Sequence, residues 1–163
     1  MKTEGSRQAI KGEKQMLDRF ERFSFSIFEI SRCWHKIAAE EMGKYELKGP
    51  HAIYLLALHQ NPEGLTSAQL CEMCGRDKAD VSRAMTLLEE KNLVCREGEN
   101  TYRARLVLTS AGMQAAKQVE GSACVAVELA GKDISDDDRK TFYAALRSIT
   151  DNLRKLSQDG LPK

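Results

Sequence analysis

The chain has 163 residues, with 25 Lys and Arg against 24 Asp and Glu and a formal net charge of +1. That length suits one ordinary domain with its own core, and a hydrophobic content of 42% is usual for a globular protein. No apolar run reaches membrane-spanning length and no signal peptide precedes the fold, so a cytoplasmic location is expected, and the near-neutral charge does not by itself advertise a nucleic-acid partner.

Residues 1–13 are polar and contain Gly, which reads as a mobile N-terminal tail. A long helix is expected from Lys14 to Met42, within a segment 14–48. Leu17, Phe20, Phe23, Ile27, Ile30, Trp34, Ile37 and Ala38 form its main stripe, and Phe25 and Phe28 fall off it. A helix apolar on more than one side needs two partners. Gly49-Pro50 opens the next helix, His51 to His59, and Asn61-Pro62-Glu63-Gly64 is a turn.

Thr66 to Thr109 carry the most information. Thr66 is a good N-cap, Gln69 completes a capping box, and Leu65 and Leu70 are spaced as a hydrophobic staple. Gly75 supplies a left-handed stop, and Asp77 caps a second helix two residues later. So short a connection sets the two helices steeply to one another, as in a helix-turn-helix. Val81, Ala84, Met85 and Leu88 follow i, i+3, i+4, i+7 and should be buried. Lys78, Ala79, Ser82, Arg83 and Thr86 occupy the opposite face. These are short or polar residues that allow close approach to base edges, with two cations among them. Arg83 is the candidate for base readout, because a guanidinium can hold guanine O6 and N7 together. A merely solvated face would carry similar residues.

A ribbon follows, from Leu93-Val94, turning near Gly98-Glu99-Asn100, and returning through Tyr102 to Leu108. Alternation puts Ala104, Leu106 and Leu108 on one face and Arg103 and Arg105 on the other. The two arginines suit phosphate or minor-groove contact, and they would equally discourage edge pairing. A helix that fits the major groove beside a thin basic ribbon points to duplex DNA. Within 66–109, however, seven Lys and Arg meet seven Asp and Glu, so only modest non-specific affinity is expected.

The remaining segment, 110–163, reads as two helices. One runs from Ser110 to Leu129 and is weakened by Gly121. The last starts at Ser135 with Asp136, Asp137 and Asp138 at its positive end. Phe142, Leu146, Ile149, Leu153 and Leu156 then form a coiled-coil-like seam over two heptads. An intramolecular core face would look the same. With Phe20, Phe23 and Ile27 of the first helix, these residues are the expected homodimer interface.

The five cysteines, Cys33, Cys71, Cys74, Cys95 and Cys124, are odd in number, which argues against a disulfide framework. Cys71 and Cys74 form a CxxC inside a helix of the motif, without the βαβ setting of thiol–disulfide enzymes or the second ligand pair of a zinc site. They read as buried core thiols, and no metal or cofactor is expected. Cys33-Trp34-His35 leaves redox or metal sensing open, although i and i+2 on a helix point apart.

The run LTSAQLCEMCGRDKADVSRAMTLLEEKNLV, followed by the ribbon and Leu108-Thr109-Ser110-Ala111-Gly112, resembles the MarR family of bacterial transcription regulators over Gly49 to Gly112. The resemblance implies a mainly α fold with a small β-ribbon. A winged helix-turn-helix core, 49–109, would be flanked by N- and C-terminal dimerisation helices. It also implies a homodimeric repressor on an inverted-repeat operator, released by a small-molecule effector, a metal or an oxidant. Family members read bases from the second helix of the motif, here Lys78, Ala79, Ser82, Arg83 and Thr86. The family wing carries Asp-x-Arg at its tip, where this chain has Asn100 and Tyr102, with Arg103 one residue off and a shorter loop. The family's effector pocket lies between the long helix and the winged motif, which places Trp34, His35, His51 and Tyr54 as candidate lining. A winged-helix module binding protein or RNA is the second reading. An enzyme is not expected, since no set of nucleophile, base and orienting group is visible.

Overall fold

The computed structural model describes residues 3–98 and 104–161, with side chains from residue 14 onward. Residues 99–103, which include Asn100, Tyr102 and Arg103, lie outside the described residues. Six helices and a two-stranded ribbon follow in the order α1 (Thr3–Gly43), α2 (Ala52–His59), α3 (Ser67–Cys74), α4 (Lys78–Glu90), β1 (Val94–Glu97), β2 (Arg105–Leu108), α5 (Ser110–Ala130) and α6 (Asp136–Asp159). A short 3-10 turn, Gly49–His51, precedes α2. The long first helix therefore extends well beyond its expected start at Lys14, taking in most of the segment read as a tail. Gly5 and Gly12 lower helix propensity there, but no Pro interrupts the segment.

The chain divides within α5 into two units, residues 1–123 and 124–163. In the first, the core gathers Met42 from the end of α1, Leu55 and Leu58 from α2, Leu70 from α3, Val81, Met85 and Leu88 from α4, Leu106 from β2, and Ala115 and Ala116 from α5. Burying each large side chain of this kind contributes about 1.5–3 kcal/mol. The α4 stripe Val81, Ala84, Met85 and Leu88 is buried as its spacing requires.

The ribbon pairs antiparallel with Val94 opposite Leu108 and Glu97 opposite Arg105. Leu65 adds an isolated bridge to Leu106, so the turn before α3 is joined to the ribbon. Ala104 and Leu106 are buried and Arg105 is exposed, as the alternation demands. Val107 departs from it. It shares the outer face with Arg105 but is buried, because the Gly64 backbone packs onto that face of β2.

Most of α1 is uncovered in the single chain. Phe20, Phe23, Phe25, Ile27, Phe28, Ile30 and Trp34 are all exposed. In the second unit α6 is strongly amphipathic yet has no buried residue. Phe142, Ile149, Leu153 and Leu156 are exposed and Leu146 is half-buried. The corner between α5 and α6 is fixed by Ser135, which caps α6 by accepting from Asp138 N–H at 3.2 Å. Arg139 adds bonds to the Glu128 carboxylate at 3.1 and 3.2 Å and to the Gly131 carbonyl at 2.9 Å. Helix α5 passes through Gly121 without a break.

Candidate nucleic-acid interface

The presentation of α4 is set by three local devices. At the start of α3 the Thr66 hydroxyl accepts from Gln69 N–H at 3.3 Å, and the Gln69 side chain accepts from Thr66 N–H at 2.9 Å. This reciprocal box satisfies two amide groups that a helix start otherwise leaves unpaired. Leu65 and Leu70, the staple pair, are both buried. At the other end Gly75 sits at φ 60°, ψ 40°, a left-handed position that costs a residue with Cβ about 1 kcal/mol or more. The Asp77 carboxylate then accepts from Asp80 N–H at 2.8 Å and caps α4.

The outer face of α4 carries Lys78, Ala79, Ser82, Arg83 and Thr86, and all five are exposed. The Thr86 hydroxyl donates back to the Ser82 carbonyl at 3.1 Å, leaving its oxygen lone pairs outward. Arg83 donates to the Asp80 carboxylate at 2.9 Å, and Arg76 stands 3.9 Å from the same carboxylate. Arg83 stands out in the sequence as a base-reading candidate, and Asp80 does not. The signal was present in the spacing, since Arg76, Asp80 and Arg83 are separated by four and three residues, the intervals at which helical side chains meet.

Elsewhere the motif's cations are compensated. Arg96 pairs with Glu89 at 2.8 Å, and Lys91 pairs with Glu46. Arg105 donates from one nitrogen to the carbonyls of Glu63 and Gly64, each at 3.1 Å. Its guanidinium thus lies on the turn before α3 instead of projecting free from the ribbon. Among the described residues of the motif, Lys78 is the cation with neither an ion pair nor a side-chain hydrogen bond. Asp80 and Glu89 are the acids of this segment that pair with its cations among the described residues. Arg103, the other expected wing cation, lies outside the described residues.

The four candidate pocket residues do not converge. His51 and Tyr54 line an open cleft of about 430 Å³ together with Lys48, Arg76, Asp80 and Arg83. Tyr54 is buried, and burial pushes its phenol pKa up. Burial likewise pushes the His51 imidazole below its ordinary range. His51 Nδ1 accepts from Lys48 N–H at 3.0 Å, which requires the neutral ring. Trp34 instead borders a separate cavity of about 30 Å³ with Ala38, Leu56 and Val119, room for about one water. His35 folds onto its own helix, its Nδ1 2.6 Å from the Ser31 carbonyl oxygen.

Cys74 is buried and Cys71 half-buried, both in α3. Burial raises the Cys74 thiol above its usual range, which suppresses the reactive thiolate. Cys33 is exposed, and its polar neighbour is the Glu29 carboxylate at 3.7 Å.

The model of the MarR family matches residues 45–101. Among solved structures, a MarR family transcriptional regulator from Listeria monocytogenes complexed with a 26mer DNA is 21% identical, with a TM-score of 0.74 over 85% of this chain and 95% of that one. A MarR transcriptional regulator from Methanosarcina mazei Go1 is 20% identical, with a TM-score of 0.74 over 83% and 99%. One from Silicibacter pomeroyi is 22% identical, with a TM-score of 0.69 over 79% and 88%. At these identities the likeness shows a shared fold, and the motif match falls on the helix-turn-helix just described. Residues 45–101 thus match the MarR family model, and the chain has the fold of these solved MarR proteins.

Proposed function

We propose that the protein is a sequence-specific, DNA-binding transcription regulator that acts as a homodimeric repressor in the cytoplasm. One observation carries this reading: a doubly capped helix-turn-helix presents Lys78, Ala79, Ser82, Arg83 and Thr86 on one exposed face of α4. Short residues let the helix approach base edges, Arg83 offers bidentate readout of guanine, and Lys78 offers a phosphate contact. The solved relative bound to a 26mer DNA supports the same use of the fold. Arg103 and Arg105 serve the wing, with Arg105 steadying its base.

The exposed faces of α1 and α6 favour self-association. Phe20, Phe23 and Ile27, with Phe142, Ile149, Leu153 and Leu156, leave apolar area in water that a monomer would ordinarily cover. A two-fold dimer would set two α4 helices to meet an inverted repeat, with half-site centres about 34 Å apart. The cleft lined by His51 and Tyr54 is the site proposed for a small-molecule effector, because it borders Asp80 and Arg83 of the reading helix.

A second reading, binding to RNA or protein, draws on the paired cations of the motif, which weaken any general attraction to polyanions. Selection from random pools of duplex DNA and of RNA separates the two. The proposal expects enrichment of a duplex inverted repeat. Enrichment of RNA alone, or of neither pool, would contradict it.

A further inference from the structure

Asp80 is an acid on the first turn of the helix that the proposed function lays against a polyanion. One of its carboxylate oxygens accepts from Arg83 Nη2 at 2.9 Å, and the other is 3.9 Å from Arg76 Nη1. Its own main-chain N–H is held by the Asp77 carboxylate at 2.8 Å, so its backbone is fixed in the first turn. The side chain of Arg83 is 71% exposed and that of Asp80 44%. Both side chains border the cleft that contains His51 and Tyr54, and the guanidinium is the more exposed of the two.

We infer that Asp80 is a specificity-determining positioning residue, which holds the Arg83 guanidinium in the pose that base readout requires. The inference rests on the reading of α4 as the base-contacting helix. Its chemistry is a matter of donor count. A guanidinium has five N–H donors, one is engaged by Asp80, and guanine O6 and N7 need two. The bond to Asp80 therefore costs no readout capacity. It removes rotamer freedom from a long side chain before the duplex arrives, and preorganisation of that kind strengthens the correct contact.

Stability does not explain the arrangement. An exposed pair at this spacing contributes little to folding, and Asp77 already caps the helix. A carboxylate facing phosphates also repels every duplex alike, which lowers non-specific affinity and raises discrimination. The same acid thus steadies the cation that reads and opposes binding that does not read.

The test uses the full chain and a preferred duplex selected from a random pool. Arg83→Ala, Asp80→Ala, Asp80→Asn and the double variant Asp80→Ala with Arg83→Ala are compared on three probes. These are that duplex, its single base-pair variants, and a random-sequence duplex. Circular dichroism and a thermal melt check each fold. Arg83→Ala should flatten preference at one base pair per half-site. Asp80→Ala should lower discrimination at that same base pair about tenfold, with affinity for the random duplex equal or higher. The double variant should discriminate no worse than Arg83→Ala alone, because both act through one contact. Asp80→Asn should restore part of the discrimination, and it carries the comparison if Asp80→Ala does not fold. Full discrimination in a folded Asp80→Ala variant, or parallel loss on all duplexes, would overturn the inference. If Arg83→Ala leaves base preference intact, the reading of α4 itself fails, and the inference with it.

Discussion

Gly112 lies so close to Leu93 that a Cβ added to it would stand 1.8 Å from the Leu93 carbonyl oxygen. The same corner is tied by Thr109. Its hydroxyl donates to the Asn92 carbonyl at 2.7 Å and accepts from Gly112 N–H at 3.0 Å, while its own N–H donates to the Leu93 carbonyl at 3.1 Å. The start of α5 is thereby locked to the loop that leaves α4. Gly112→Ala must push the two segments apart and should cost about 3 kcal/mol, at the upper end of overpacking effects. A thermal or denaturant melt reads this, and an unchanged midpoint would mean that the contact relaxes freely.

This corner shows what the sequence discloses and what it withholds. Leu108-Thr109 and Gly112 stood out as a motif, but the reason for the glycine is a neighbour nineteen positions earlier. The capping box at Thr66, the left-handed Gly75, the Asp77 cap and the buried stripe of α4 were all legible, because each is decided within a few residues. The start of α1 was not, since a polar helix and a polar tail have similar composition. The grouping of Trp34, His35, His51 and Tyr54 also failed to carry over. Only His51 and Tyr54 share a cleft, and which side chains face one cavity depends on how α1 crosses the turn at Gly49, where the His35 and Ala39 backbone comes close.

Arg105 looked like a free wing cation from its place in the strand. Its bonds to the Glu63 and Gly64 carbonyls make it a tie between the ribbon and the turn before α3. Arg105→Met should cost about 1 kcal/mol, since one exposed charged donor is lost from two carbonyls. It should also weaken binding to all duplexes alike. A changed preference at a single base pair in competition assays would assign Arg105 to base readout instead.

His51 should make the fold sensitive to mild acid. Burial lowers its pKa below the ordinary 6.5; the Lys48 backbone contact opposes this, the Lys48 charge adds to it, and Asp80 opposes it. The unfolded chain then binds more protons near that pH, so stability rises with pH. The contribution is complete above the unfolded value and is lost as pH falls through the lower folded value. The melting temperature should drop from about pH 7.5 to about pH 5.5, and His51→Gln should flatten that drop. An identical pH slope in the variant would show that other groups are responsible.

The thiols of α3 should be inert. Cys74 is buried with its thiol pKa raised, so peroxide should leave duplex binding of the wild-type chain intact. Replacing Cys71 with Ala and Cys74 with Val should lower stability slightly and leave affinity nearly unchanged. Cys33 is the exposed control. Reversible peroxide release that disappears in Cys33→Ser would place redox control on α1.

The central claim is that two copies of α4 read one inverted repeat. A hydroxyl-radical footprint on the selected duplex, read alongside the mass of the complex in solution, addresses it most directly. Two chains per duplex and two protected half-sites on one face are expected, with centres about 34 Å apart, one turn of B-DNA. A single protected half-site bound by one chain would contradict it.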